Sequence, residues 1–282
     1  MDIPAGWEEV ERRGIGPFVT ARVLRRPDGS QVEYSAWRHR KGYGLLDTEA
    51  SSHAQGVTWW APDRRGWWIA VLFMVGSACF ALGSLPPAAA ALGSAAAWVF
   101  DIGTIFFTSA AYLQFYEATN EGDDIEGHGR TGRLIGIRSR SMGWWAAATQ
   151  LVGTVAFNIS TFAGTRDLTT QQGERLIWAP DVVGSLLFLV AGALVIMETH
   201  DQLRGILFRS LESRIAGLNM LGSIAFGISA VGAFIVPSTG ELLSLPLVNL
   251  FTFLGAALFF VGAALLIPDM APEPKVTPGR AG

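Results

Sequence analysis

Residues 67–85 read Trp67-Trp68-Ile69-Ala70-Val71-Leu72-Phe73-Met74-Val75-Gly76-Ser77-Ala78-Cys79-Phe80-Ala81-Leu82-Gly83-Ser84-Leu85, without one charged side chain. At ~1.5 Å per residue, about 20 apolar residues in helical form cross the ~30 Å hydrocarbon core of a bilayer. Five more stretches share that length and character, at residues 97–116, 144–163, 180–197, 215–236 and 247–267. Tryptophans mark their ends: Trp67-Trp68 and Trp144-Trp145 open the first and third, Trp98 and Trp178 the second and fourth. An indole prefers the membrane–water boundary, where its ring is half buried and its N–H stays near water. Six such segments would be hard to keep in water as a soluble bundle.

Composition alone hides this segregation. Half of the 282 residues are hydrophobic, 16% are charged, and the formal net charge is -3. These values exclude a disordered or collagen-like chain. The single cysteine, Cys79, excludes an internal disulfide and a cysteine-cluster metal site. Near-neutral charge gives no reason to expect a nucleic-acid partner. With the amino terminus placed in the cytoplasm, 19 of the 21 Lys and Arg fall on the inner side, and only Arg166 and Arg175 fall outside. That bias puts both termini on the cytoplasmic side. Residues 1–66 contain no apolar h-region, so no cleaved signal peptide is expected.

The apolar stretches also repeat one another. The odd ones contain Gly76-Ser77-Ala78-Cys79-Phe80, Gly153-Thr154-Val155-Ala156-Phe157 and Gly222-Ser223-Ile224-Ala225-Phe226. The even ones contain Gly103-Thr104-Ile105-Phe106-Phe107, Gly184-Ser185-Leu186-Leu187-Phe188 and Gly255-Ala256-Ala257-Leu258-Phe259. Seven residues after each motif glycine stands another small residue: Gly83, Ala110, Ser160, Ala191, Ser229 and Gly262. Positions i and i+7 share a helix face, so each helix carries a smooth stripe with a Phe beside it. In lipid, such stripes let helix backbones approach, so the motif is first a packing code. The hairpins match as pairs too: Gly66-Trp67-Trp68 with Gly143-Trp144-Trp145, and Trp98-Val99-Phe100-Asp101 with Trp178-Ala179-Pro180-Asp181. The third pair lacks the tryptophans and has Asn249 near the aspartate position.

Paired Gly-Ser-x-x-Phe helices in a two-span unit resemble the YrhK-like domain of small bacterial membrane proteins. The resemblance covers residues 67–116, 144–197 and 215–267. It implies a repeated two-span unit and supplies no catalytic residue, since the family has no established activity.

The expected fold is therefore an all-α membrane protein of six transmembrane helices, arranged as three repeated hairpins, with a small cytoplasmic β-containing segment. The divisions are 1–66 (amino-terminal segment), 67–116, 143–197 and 215–267 (hairpins), 117–142 and 198–214 (cytoplasmic linkers), and 268–282 (a disordered tail). Within the first, Phe18–Leu24 and Gln31–Trp37 flank Arg26-Pro27-Asp28-Gly29-Ser30, a turn sequence that predicts a β-hairpin. Its core is thin for so short a segment, so docking on the membrane part or oligomerisation is expected.

Three sets of residues are candidates for function. Arg38, His39, Arg40 and Lys41 form a basic run near Trp59-Trp60 and Arg64-Arg65. Arg38, Arg40, Lys41, Arg64 and Arg65 either recognise anionic lipid headgroups or only express the topological bias. Asp101 and Asp181 are the acids inside spans, each three residues after a boundary Trp. They read either as residues capping the positive end of a helix or as part of a solute or proton path with Asn249, Gln150, Asn158 and Asn219. Asp101, Thr104, Thr108 and Tyr112 share one helix face, and Gln150, Thr154, Asn158 and Thr161 another. Facing stripes of this kind line a wet path or bond helix to helix. The third set, the linker charges Glu121, Asp123, Asp124, Glu126, Arg130, Arg133, Arg138 and Arg140, reads as a solvated loop.

The four histidines, His39, His53, His128 and His200, are scattered. Glu198 lies near His200 with no nucleophile in view, and no cofactor or zinc motif occurs. The sequence thus favours a non-catalytic membrane protein acting as scaffold or sensor, over a transporter or channel using Asp101 and Asp181. Its expected partner is the lipid bilayer. A protein partner or second copy is left open.

Overall fold

The computed structural model describes residues 3, 5–41, 46–47, 59–120, 132–203 and 210–269. His53, His128, the acidic run 121–126, Arg130 and residues 270–282 of the expected tail lie outside the described residues, as does the side chain of His200.

The amino-terminal segment folds as an antiparallel sheet in chain order: β1 (Glu8–Ile15), β2 (Phe18–Arg25), β3 (Gln31–Ser35) and the two-residue β4 (Leu46–Asp47). The expected hairpin is β2–β3, in which Val23 faces Glu33 and Arg25 faces Gln31. Its turn closes as the residues require. Gly29 takes φ 89°, and Arg26 N–H donates to the Ser30 carbonyl at 2.8 Å. The second strand is shorter than expected. Ser35 turns the chain into a helix, its hydroxyl accepting from Arg38 N–H, and Ala36–Arg40 form α1. Strand β1 was not legible, because Glu8, Glu9, Glu11, Arg12 and Arg13 mask its alternation.

The rest is helical. The long helices are α2 (Arg65–Ser84), α4 (Ala95–Thr119), α5 (Met142–Gly164), α7 (Ala179–Leu203), α8 (Leu211–Gly232) and α9 (Leu245–Asp269). Short helices α3 (Pro86–Leu92) and α6 (Thr170–Gly173) lie in two connections, and a π-helical turn, Glu174–Trp178, joins α6 to α7. Five helices are long and apolar enough to cross a membrane: Arg65–Ser84, Ala95–Thr119, Thr170–Thr199, Leu211–Gly232 and Leu245–Ile267. Helix α5 is as long but carries Gln150, Thr154, Asn158, Ser160 and Thr161, and is not among the five.

The six long helices form a closed ring, α2–α4–α5–α7–α8–α9, in which α9 returns to pack on α2. Neighbours run antiparallel, since Arg65 at the start of α2 meets Glu117 at the end of α4, and Asp101 at the start of α4 meets Thr161 at the end of α5. One contact recurs in three places. Were a Cβ added to Gly76, it would stand 2.5 Å from the Phe107 ring and 2.9 Å from the Gly103 carbonyl oxygen. At Gly153 the same atoms are Phe188 and Gly184, and at Gly222 they are Phe259 and Gly255. Two glycines facing each other bring the backbones together, and the Phe of each helix lies over the glycine of its partner.

Those six phenylalanines meet on the ring axis. Phe80 reaches Phe226 at 5.8 Å, Phe157 reaches Phe226 at 6.1 Å, Phe107 reaches Phe259 at 5.9 Å, and Phe188 reaches Phe259 at 5.8 Å. Each of these contacts joins helices that are not ring neighbours, so it crosses the axis. Tilted and edge-to-face geometry at these spacings is favourable for aromatic rings. The centre of the bundle is therefore filled by side chains.

Candidate functional site

The axis changes character on the side facing the sheet. Helix α1 packs against α4, α5 and α7, closing the mouth of the ring. Its sequence, Ala36-Trp37-Arg38-His39-Arg40, is buried throughout although three of five residues are basic or titratable. Trp37 is fully buried and belongs to the same apolar cluster as Val195, Ile215 and Phe259. The Arg40 guanidinium lies 5.5 Å from the Trp37 ring, and the Lys41 ammonium 5.2 Å from it.

A charge in such a place needs a counter-charge. Arg40 Nη1 stands 2.8 Å from Glu198 Oε2, with side chains 2% and 0% exposed. The pair exists because Gly143 leaves room for it. A Cβ at Gly143 would sit 3.0 Å from Arg40 Nη1 and 3.1 Å from Glu198 Oε1. A second pair, Arg65 with Glu117, lies within the first hairpin, and Arg65 also covers the Tyr116 ring. Neither carboxylate was singled out as a site from the sequence. The signal was there: Glu117, Glu198 and Asp269 each stand 14 residues after the motif glycines Gly103, Gly184 and Gly255.

Below α1 lies a small cavity of about 20 Å³. Arg40, Lys41, Gln150 and Asn219 are among its lining residues, with Phe188 and Phe259 of the motif rings. Gln150 and Asn219 each precede their motif glycine by three residues, so equivalent turns of α5 and α8 supply the two amides.

Part of the expected polar stripes resolves into helix-to-helix bonds, while Thr154 donates to the Leu151 carbonyl of its own helix. Asn158 Nδ2 donates to Thr108 Oγ1 at 2.7 Å, and Thr161 Oγ1 donates to Asp101 Oδ1 at 3.3 Å. Thr104 and Thr161 hydroxyls lie 3.0 Å apart. All of these join α4 to α5. Asp101, Asp181 and Asn249 lie toward one end of the ring, Asn158 at the level of the phenylalanines beside Phe157, and Gln150 and Asn219 toward the other end. The structure does not bring the six candidates together. Asp181 is half buried in the first turn of α7, Asn249 half buried near the start of α9.

The headgroup assignment needs correction. Arg38, Arg40 and Lys41 are only 9%, 2% and 5% exposed, so they do not face a lipid surface. The reason is tertiary: α1 inserts into the ring instead of lying on it. Arg64 and Arg65 stay partly exposed at the start of α2. The paired tryptophans also do more than mark a boundary. Trp67 and Trp144 are buried, and their indole N–H groups donate to the carbonyls eight residues back, Trp59 and Gly136, at 3.0 and 2.9 Å. Trp68 and Trp145 donate to the carbonyls six residues back, Pro62 and Ser139. Each pair thus staples its preceding connector onto the helix entrance.

No family model, curated protein or solved structure matches the chain. The likeness to YrhK-like proteins rests on the residues alone.

Proposed function

We propose that the chain is a six-span protein of the bacterial inner membrane, with both termini in the cytoplasm, built from three copies of a YrhK-like two-helix unit. It acts without catalysis, as a scaffold or sensor that holds a small cytoplasmic sheet against the helix ring. The observation that carries this reading is the aromatic closure of the axis, Phe80, Phe107, Phe157, Phe188, Phe226 and Phe259, with α1 seated over the mouth. A transporter needs a wet route past mid-membrane, and here rings occupy that depth. Bonds such as Asn158 to Thr108 also give the polar stripes a packing role, each worth about 1 kcal/mol. For α5, the sixth span, its membership of the ring supports a crossing, because Asn158 and Thr161 spend their polar groups on bonds to α4.

Reconstituted vesicles test this. Protein-bearing vesicles are expected to hold a proton gradient as long as empty ones do. Proton or solute flux in the wild type that disappears in both Asp101→Asn and Asp181→Asn would replace the scaffold reading with transport. The topology is read separately. Single cysteines in place of Arg64 and Arg140, in a Cys79→Ser background, are expected to label from one face, and a cysteine at Arg166 from the other.

A further inference from the structure

We propose that the cavity beneath α1 is a binding site for one small inorganic anion of halide size. The argument starts from what lines it. Among its described lining residues are the side chains of Trp37, Arg40, Lys41, Gln150, Asn219 and Ser223, and no carboxylate. Five of these six carry donors for a ligand, an indole N–H, a guanidinium, an ammonium and two amide NH₂ groups, whereas the Ser223 hydroxyl already donates to the Asn219 carbonyl at 2.9 Å. A lining that offers donors and no carboxylate suits an anion better than a metal ion, with Glu198 balancing the charge of Arg40 from outside the cavity.

One neutral donor on this wall has no acceptor: the Trp37 indole nitrogen is buried without a hydrogen-bond partner, and Trp37 is 0% exposed. Arg40 Nη1 and Nη2 and both Glu198 oxygens also make no hydrogen bond, although Nη1 and Oε2 stand 2.8 Å apart as an ion pair. An unsatisfied buried donor costs about 1–3 kcal/mol, so the indole points to an acceptor in the cavity. Glu198 lies outside the cavity lining.

Size narrows the class. A volume of about 20 Å³ takes one water-sized particle and little more, since roughly 10–15 Å³ suffices for a water. Chloride fits this scale, and phosphate, sulfate and carboxylic acids with their several heavy atoms do not. Phe188 and Phe259 among the lining residues keep the cavity partly apolar, where a charge-assisted hydrogen bond is stronger than in water. The site does not depend on the scaffold reading, because a transporter with the same cavity would carry it too.

The test uses the full chain in detergent and radiolabelled chloride, counted on immobilised protein at constant ionic strength with gluconate as the balancing anion. Saturable binding of one chloride per chain is expected, displaced by bromide and not by gluconate. Trp37→Phe removes the indole donor and keeps the ring, and Gln150→Leu removes one amide. Each is expected to weaken binding about tenfold, the loss of one hydrogen bond to a charged group, while thermal unfolding in gluconate shows that both variants fold. Absence of saturable chloride binding to the wild type would overturn the site, with the cavity then holding water. Wild-type affinity in both folded variants would overturn its location.

Discussion

Glu117 and Glu198 stand at the same register of two hairpins, and their neutralising arginines come from different places. In the first hairpin Arg65 rises from the entrance of α2, so the pair belongs to the hairpin itself. In the second, position 142 is Met142, and the cation comes from α1 in the form of Arg40. One is a local ion pair whose arginine reaches solvent, with 27% of its side chain exposed. The other is sealed and joins two parts of the chain. The difference teaches where the sheet is fastened. The carboxylate that the first hairpin neutralises internally has its counterpart in the second neutralised by α1.

The largest expected effect lies at that socket. Glu198→Ala leaves Arg40 charged, buried and without its counter-ion, at a cost of about 3–5 kcal/mol. The thermal midpoint of the detergent-solubilised chain should fall accordingly, and trypsin should gain access to Arg38, Arg40 and Lys41. Converting both Arg40 and Glu198 to methionine should recover most of the midpoint, since no charge remains buried. Glu117→Ala is the control. Arg65 can turn to water and keep its contact with Tyr116, so the loss should be about 1–2 kcal/mol, with α1 still resistant to trypsin. Equal losses from the two glutamates would break the contrast between them.

Next come the glycine contacts, which test how alike the hairpins are. Gly76→Ala, Gly153→Ala and Gly222→Ala each place a methyl 2.5–2.9 Å from a phenylalanine ring on the partner helix. Overpacking of this kind costs about 1–3 kcal/mol. Similar drops in thermal midpoint are expected at all three sites. A cost confined to one hairpin would show that the others are loosely packed despite sharing the motif.

A smaller effect separates the first two hairpins from the third. Trp67→Phe and Trp144→Phe each remove one indole donor to a connector carbonyl, and each should cost about 1 kcal/mol. Hydrogen exchange at the connectors 59–64 and 136–141 should rise in parallel. Ser213 and Arg214 hold the matching positions in the third hairpin, so no indole stands there.

The smallest expected effect lies inside the sheet. The Ser30 hydroxyl and then its backbone N–H donate to Asp28, holding that carboxyl below its usual value of 3.8. A depressed folded-state pKa stabilises the β2–β3 turn above the unfolded value. The support is lost as pH falls through the still lower folded value. Turn resonances in an NMR titration should therefore hold steady from neutral pH down to about pH 4 and shift only below it. Asp28→Asn should abolish that acid-range shift.

The readable and unreadable parts of the chain divide along a physical line. The span lengths, the Gly-x-x-x-Phe spacing, the tryptophan entrances and the Pro-Asp-Gly-Ser turn are local patterns, and the helices and the β2–β3 hairpin follow them within a few residues. The polar faces of α4 and α5 were visible as stripes too, through residues such as Thr108 and Asn158. Which of them would meet depended on the two helices becoming ring neighbours.

Residues 36–41 show the opposite case. Read locally, Trp37-Arg38-His39-Arg40-Lys41 is a charged surface segment, and the sequence offered headgroups as its partner. Burial of those cations became affordable only through a carboxylate far along the chain, a glycine that leaves room, and a ring mouth wide enough to admit an indole. Hydrophobic length and small-residue spacing, properties of single segments, set by themselves that this chain forms long apolar helices able to pack closely. Closure of the ring, the convergence of six phenylalanines on one axis, and the seating of α1 in its mouth arise from contacts between segments distant in sequence. Only the tertiary structure decides those, because the free energy of a buried charge depends on what surrounds it and not on its neighbours along the chain.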